Sequence, residues 1–166
     1  MEVATTTVET GSRMRSKEVW PFSSILLGLS GIILIAVGCY FLFLRPALLP
    51  EDVRYMNLSS AELQSLGPRL ALWLTYVFRV MGGYIIATGV LALTLATTAF
   101  RQRSCWALAG AIVAGVASIG WMAAVNFMIN SDFKWVLLGF ALIWAASIAA
   151  FAAEARQASS PVRDVR

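Results

Sequence analysis

Five polar side chains stand beside or inside strongly apolar runs: Glu51 and Asp52 in "LLPEDVR", Arg79 in "FRVMGGYIIATG", Asn126 in "AVNFM" and Asp132 in "NSDFK". Groups so placed could hold the head of an ionic ligand, pair with one another or, for Glu51 and Asp52, act as acid and base at a membrane surface. The last option lacks support, because no nucleophile–base pair and no metal-ligand spacing is visible. Histidine is absent, which removes haem ligation by imidazole, His-based zinc sites and the commonest general base. Cys39 and Cys105 form no CxxC, so the paired thiols of disulfide exchange are missing. Placed near opposite membrane faces, they would sit roughly 20 Å or more apart, beyond the about 7 Å between Cα atoms that a disulfide tolerates. No catalytic residue, metal or cofactor is expected.

Composition says where these side chains must work. With 59% hydrophobic and 13% charged residues, the 166-residue chain is one domain of the integral membrane class. The net charge of +4 is scattered without a basic run, so a nucleic-acid partner is a poor reading and the lipid bilayer the expected one.

Four apolar stretches are expected as membrane spans. Residues 1–22 read as a flexible polar tail. Ser23–Leu44 is uncharged and near the roughly 20 residues that cross a bilayer, longer than the roughly 7–15 of a signal-peptide core. It is expected to be a retained first span. In the loop 45–69, Pro46 and Pro50 argue against regular helix, whereas Ser59 followed by Glu62 makes a capping box that should start a short one. Gly67-Pro68 should stop it, and from Arg69 to Phe100 only Gly82-Gly83 interrupts the helical pattern. A helix that long measures about 48 Å, against about 30 Å of hydrocarbon, so a register within 70–100 must be chosen. Placing the span at 80–100, ended by Arg101 and Arg103, avoids a mid-bilayer arginine costing about 2.5–3.5 kcal/mol or more. The third and fourth spans follow at 104–127 and 133–153, with Ser131 or Asp132 as a cap for the fourth, and 154–166 reads as a second flexible tail.

Charge sets the orientation. Arg13, Arg15, Lys17, Arg101, Arg103, Arg156, Arg163 and Arg166 fall on one side and Arg45, Arg54, Arg69 and Lys134 on the other. The positive-inside rule then makes both termini cytoplasmic and exposes the 45–69 loop outside. The expected architecture is all-α: an antiparallel bundle of four transmembrane helices.

In that register Arg79 lies at the outer headgroup boundary, where its long stem can snorkel, and a plain interfacial anchor suffices to explain it. Arg79, Asn126, Asp132, Glu51 and Asp52 would share the outer face, with Arg45 nearby, as the one polar cluster worth testing. Asn126 ending the third span and Asp132 capping the fourth are the structural alternatives. Small residues recur at helical spacing: Gly31 with Gly38, Gly82 and Gly83 with Gly89, Gly110 with Ala114 and Ser118, and Ala141 with Ala145 and Ala149. Where no hydrophobic effect drives association, such faces let helices approach closely, within the chain or between copies. Trp20, Trp73, Trp106 and Trp135 read as interfacial belt residues, and Trp121 and Trp144 as deeper packing residues. Asn57-Leu58-Ser59 is a glycosylation sequon of little weight.

The order of these features resembles uncharacterised four-helix bacterial membrane families: a first span, a loop with Pro50-Glu51-Asp52, a second helix with Arg79 and Gly82-Gly83, Arg101 and Arg103, then a tight pair of spans. The resemblance covers about residues 23–153 and implies a bacterial inner membrane location but no activity. Small multidrug exporters are set aside because the first span carries no acid, tetraspanin- and claudin-like proteins because the 45–69 loop carries no cysteine, and membrane cytochromes for want of histidine. The first functional expectation is a non-enzymatic bundle working through a membrane protein partner or self-association. The alternative is a binder or carrier of a lipid or amphiphile at the outer face, with Arg79 holding an anionic group.

Overall fold

The computed structural model describes residues 20–65 and 67–159, and these are helical with short connections. The expected tails lie outside the described residues except for 20–22 and 154–159. Four stretches are long and apolar enough to cross a membrane: Phe22–Leu44, Gly67–Thr97, Cys105–Met128 and Lys134–Ala158. The first is α1 (Phe22–Cys39) prolonged by a π-helical turn, Tyr40–Leu44; α2 (Pro50–Met56) and α3 (Ser60–Ser65) follow in the loop, and α4 (Gly67–Thr97) is the second span. The third comprises α5 (Cys105–Gly115), a π turn at Val116–Gly120 and α6 (Trp121–Met128), and α7 (Lys134–Ser159) is the fourth.

Two boundaries differ most from expectation, and α4 also runs from Gly67 to Thr97 against the expected 70–100. Pro50 starts a helix instead of preventing one: at the first helical position its missing N–H has no intrahelical partner to lose, and its fixed φ suits the turn. Asp52 completes that start by accepting the Leu49 N–H at 2.9 Å, and Asn57 ends α2 in the left-handed region with φ 52°. The second difference is α7, which runs to Ser159 and so takes Glu154 out of the expected tail. Nothing in "EARQASS" breaks a helix before Pro161.

The expected Ser59–Glu62 capping box forms. Glu62 Oε2 accepts the Ser59 N–H at 2.8 Å and the Ser59 hydroxyl at 2.6 Å, while Ser59 Oγ accepts the Glu62 N–H at 3.3 Å. These bonds, that of the Ser59 hydroxyl foremost and the Ser59 N–H second, hold the Glu62 carboxyl below its ordinary value. Gly67, with φ 72°, turns the chain into α4, which stays helical through Gly82-Gly83. Among the described cysteines, Cys39 and Cys105 are both free.

Packing is uneven around the bundle. α1 lies along α4, and its other flank is covered by α7; α5 and α6 lean on α7 and barely touch α4. The α1–α4 contact is made backbone to backbone, with Gly31 against Gly89 and Gly38 against Gly82. A Cβ on Gly31, Gly38 or Gly82 would lie 2.8 Å from the opposing carbonyl oxygen, and one on Gly89 2.7 Å from it. Only glycine permits this approach, which substitutes close van der Waals contact for a hydrophobic drive that lipid does not provide. The remaining small residues divide. Ala114 and Ala141 pack against the core, and Ser118 donates its hydroxyl to Ala114 O. Gly83 and Gly110 face open space, and Ala145 and Ala149 are exposed.

The end of the bundle near Phe22 is closed by polar and aromatic contacts. Ser23 donates its hydroxyl to Glu154 at 2.6 Å, Arg103 pairs with Glu154 at 2.5 Å, and the Phe100 and Phe151 rings lie 4.6 Å apart. Trp144, 4% exposed, packs into the notch left by Gly115 and donates its indole N–H to Ala111 O at 2.9 Å.

Candidate functional site

Because α5 and α6 follow α7 instead of α4, a cleft opens between the second and third spans. Its larger part has a volume of 810 Å³ and a second part 590 Å³, the two adjoining at Thr88, Ala117 and Ser118. The walls are mostly apolar, from Leu34 and Val37 on α1, Ile85 on α4, Met122 on α6 and Phe140 on α7. Both π turns contribute, Tyr40 and Phe41 from one and Ala117 and Ser118 from the other. A π turn inserts a residue into the helical ladder and re-aims the side chains around it, which is why such turns recur where a helix borders a site.

Polar groups gather at one end, beneath α2. Arg45, its side chain 8% exposed, pairs with Asp52 at 3.2 Å, donates to Pro46 O at 3.2 Å and stacks 3.4 Å from the centroid of the Phe78 ring. The Phe41 ring lies 5.4 Å from the same guanidinium. Asp52 thus serves twice, capping α2 and holding the arginine. Glu51 is 3% exposed and lines the cleft, and its Oε1 accepts from Ser131 Oγ at 3.3 Å. Ser131, also buried, accepts the Phe133 N–H at 3.1 Å and so caps the approach to α7. On the outside of the same corner Arg54 pairs with Asp132 at 3.0 Å. Together these contacts lay α2 across the end of the cleft, tied to α1 through Arg45 and to the α6–α7 corner through Glu51 and Arg54.

The expected polar cluster is therefore brought together in part. Glu51, Asp52 and Asn126 line the cleft, Asn126 with its amide donating to Met122 O at 2.9 Å. Asp132 sits at the exposed rim as the partner of Arg54. Arg79 stands apart: it is exposed, does not line the cleft, and lies 5.9 Å from the Tyr76 ring centroid. The arginine at the cleft is Arg45, expected only near the cluster. Its signal was available in Phe41, Arg45 and Asp52, because a Pro-initiated helix aims its third residue back at the preceding chain. Trp121 also departs from the deep packing place expected of it, being 66% exposed at the edge of the cleft, whereas Trp144 is buried as expected.

Among the described residues no group of His, Cys, Asp and Glu side chains could hold a metal ion. Comparison with protein-family models, curated proteins and solved structures finds no match.

Proposed function

We propose that this chain is a non-enzymatic integral membrane protein that binds a lipid or amphiphile in the cleft between α4 and the α5–α6 span, its head beneath α2 and its chain against the apolar walls. The observation that carries the reading is the cleft itself, whose 810 Å³ lies within the roughly 300–1,000 Å³ typical of small-molecule sites and whose charged side chains, Arg45, Glu51 and Asp52, gather at one end. An amphiphile has the same asymmetry. The proposed setting is a bacterial inner membrane, in keeping with the resemblance in layout, and an antiparallel bundle with both termini cytoplasmic and α2–α3 outside. Gly31 meeting Gly89 while Gly38 meets Gly82 supports the antiparallel course, and the distribution of Lys and Arg supports the orientation.

Partner binding or self-association is the second reading. Gly31, Gly38, Gly82 and Gly89 are occupied within the chain, but Gly110, Ala145 and Ala149 remain bare and could admit a neighbouring helix.

Native mass spectrometry of the full chain released from mild detergent tests the proposal. The wild type and Arg79→Ala are expected to retain a bound lipid, and Ala117→Phe, which fills the junction of the two cleft parts, to lose it. A wild type without bound lipid, or equal retention in Ala117→Phe, would overturn the reading; a defined oligomer in that case would favour self-association.

A further inference from the structure

We infer that the lipid selected by this cleft carries a free ammonium group in its head and that Glu51 receives it, an inference that rests on the cleft being a lipid site. Arg45 is the group that would ordinarily recognise a phosphate, and it is already engaged. Asp52 lies 3.2 Å from its guanidinium, Pro46 O takes a further hydrogen bond, and the Phe78 ring covers one face. Its charge is met at contact distance, and Asp52 and Pro46 O take hydrogen bonds from both of its terminal nitrogens.

Glu51, the next acidic neighbour, is in the opposite condition. It is 3% exposed, lines the cleft, and takes its hydrogen bond from a neutral hydroxyl, that of Ser131 at 3.3 Å. The ion pairs among the described residues join Arg45 to Asp52, Arg54 to Asp132 and Arg103 to Glu154, so none supplies Glu51 with a cation. A carboxylate has about four lone-pair sites, and a buried one without counter-charge is costly. Arg45, Asp52 and Glu51 together leave one negative charge in excess at the head of the cleft.

An ammonium answers each of these conditions. It offers three N–H donors and a positive charge to Glu51, and Phe133, two residues beyond the Ser131 that bonds Glu51, adds an aromatic ring to the lining of the same cleft. Below the head, the apolar path through Ala117 to Leu95 and Ala111 accommodates an acyl chain. The excess negative charge also acts against lipids whose head is a net anion, which makes the selection two-sided.

Phosphatidylethanolamine and phosphatidylglycerol share the same phosphate and differ in the ammonium, so equal amounts of the two offered to the purified full chain isolate its contribution. Native mass spectrometry is expected to find phosphatidylethanolamine retained about tenfold over phosphatidylglycerol, and Glu51→Gln to bring the ratio near unity. Equal retention or a preference for phosphatidylglycerol in the wild type would overturn the inference while leaving the lipid site standing. So would a preference that survives Glu51→Gln. Absence of any retained lipid, or retention unaffected by Ala117→Phe, would overturn the lipid site itself. If Glu51→Gln aggregates, the wild-type competition alone decides, since it requires no variant.

Discussion

The two flanks of α4 solve the same problem in opposite ways. Toward α1, Gly82 and Gly89 bring backbone against backbone, with no room for a methyl group. Toward α5 and α6, the same helix presents Ile85, Thr88 and Leu91 to an open cleft. Within a membrane, burial of apolar surface confers little advantage, so cohesion depends on how closely atoms approach. One flank can then hold the bundle together while the other stays open, as the proposed lipid site requires, and the position of the glycines decides which is which.

That contrast can be broken most directly at the tight flank. Gly38→Leu must push α1 away from Gly82 O and Ile86, and a loss of about 3 kcal/mol or more is expected, read as a lower unfolding midpoint in detergent titration. Unchanged stability would mean that the two helices do not meet there. Next in size is Glu154→Gln, which removes the charge joining Ser23 and Arg103 across the α1–α7 contact; about 1.5 kcal/mol is expected by the same measurement. On the open side the sign reverses. Gly110→Ala meets nothing within 4 Å and is expected to raise stability by about 0.5–1 kcal/mol, because alanine loses less chain entropy in a helix. A marked loss would point to a partner helix seated on that face.

The smallest effect lies outside both flanks and serves as their control. The Glu62 carboxyl is held below its ordinary 4.5, so its contribution to the start of α3 is present above that pH and is lost as the pH falls through the lowered value. Protection of the Ser59 and Glu62 amides, taken relative to the intrinsic exchange rate at each pH, should fall on acidification below about 4.5, while that of α1 and α4 is kept. Fraying of α4 in the same range would tie the loop to the tight flank more strongly than the contacts of α3 provide.

What was legible in the sequence follows the range of the forces. Span length and apolarity are one-dimensional, and the Ser59–Glu62 cap is made within one turn, so both could be read directly. The heptad spacing of Gly31 with Gly38 and of Gly82 with Gly89 announced close packing, though not that the two pairs would meet each other. The sequence alone does not rank Arg45 and Arg79, because each is an arginine near the α2 end of a span; their difference arises from the fold-back of α2, which brings Asp52 to Arg45. Glu154 was misplaced for a similar reason, since its partners Ser23 and Arg103 are far away in sequence.

The contact between Ser23 and Glu154, 131 residues apart, also bears on how the protein is made. Synthesis at about 5–20 residues per second puts on the order of 10 s between the emergence of the two residues. For that interval α1 stands without the helix that covers one of its sides, and Ser23 lacks the carboxylate that accepts its hydroxyl.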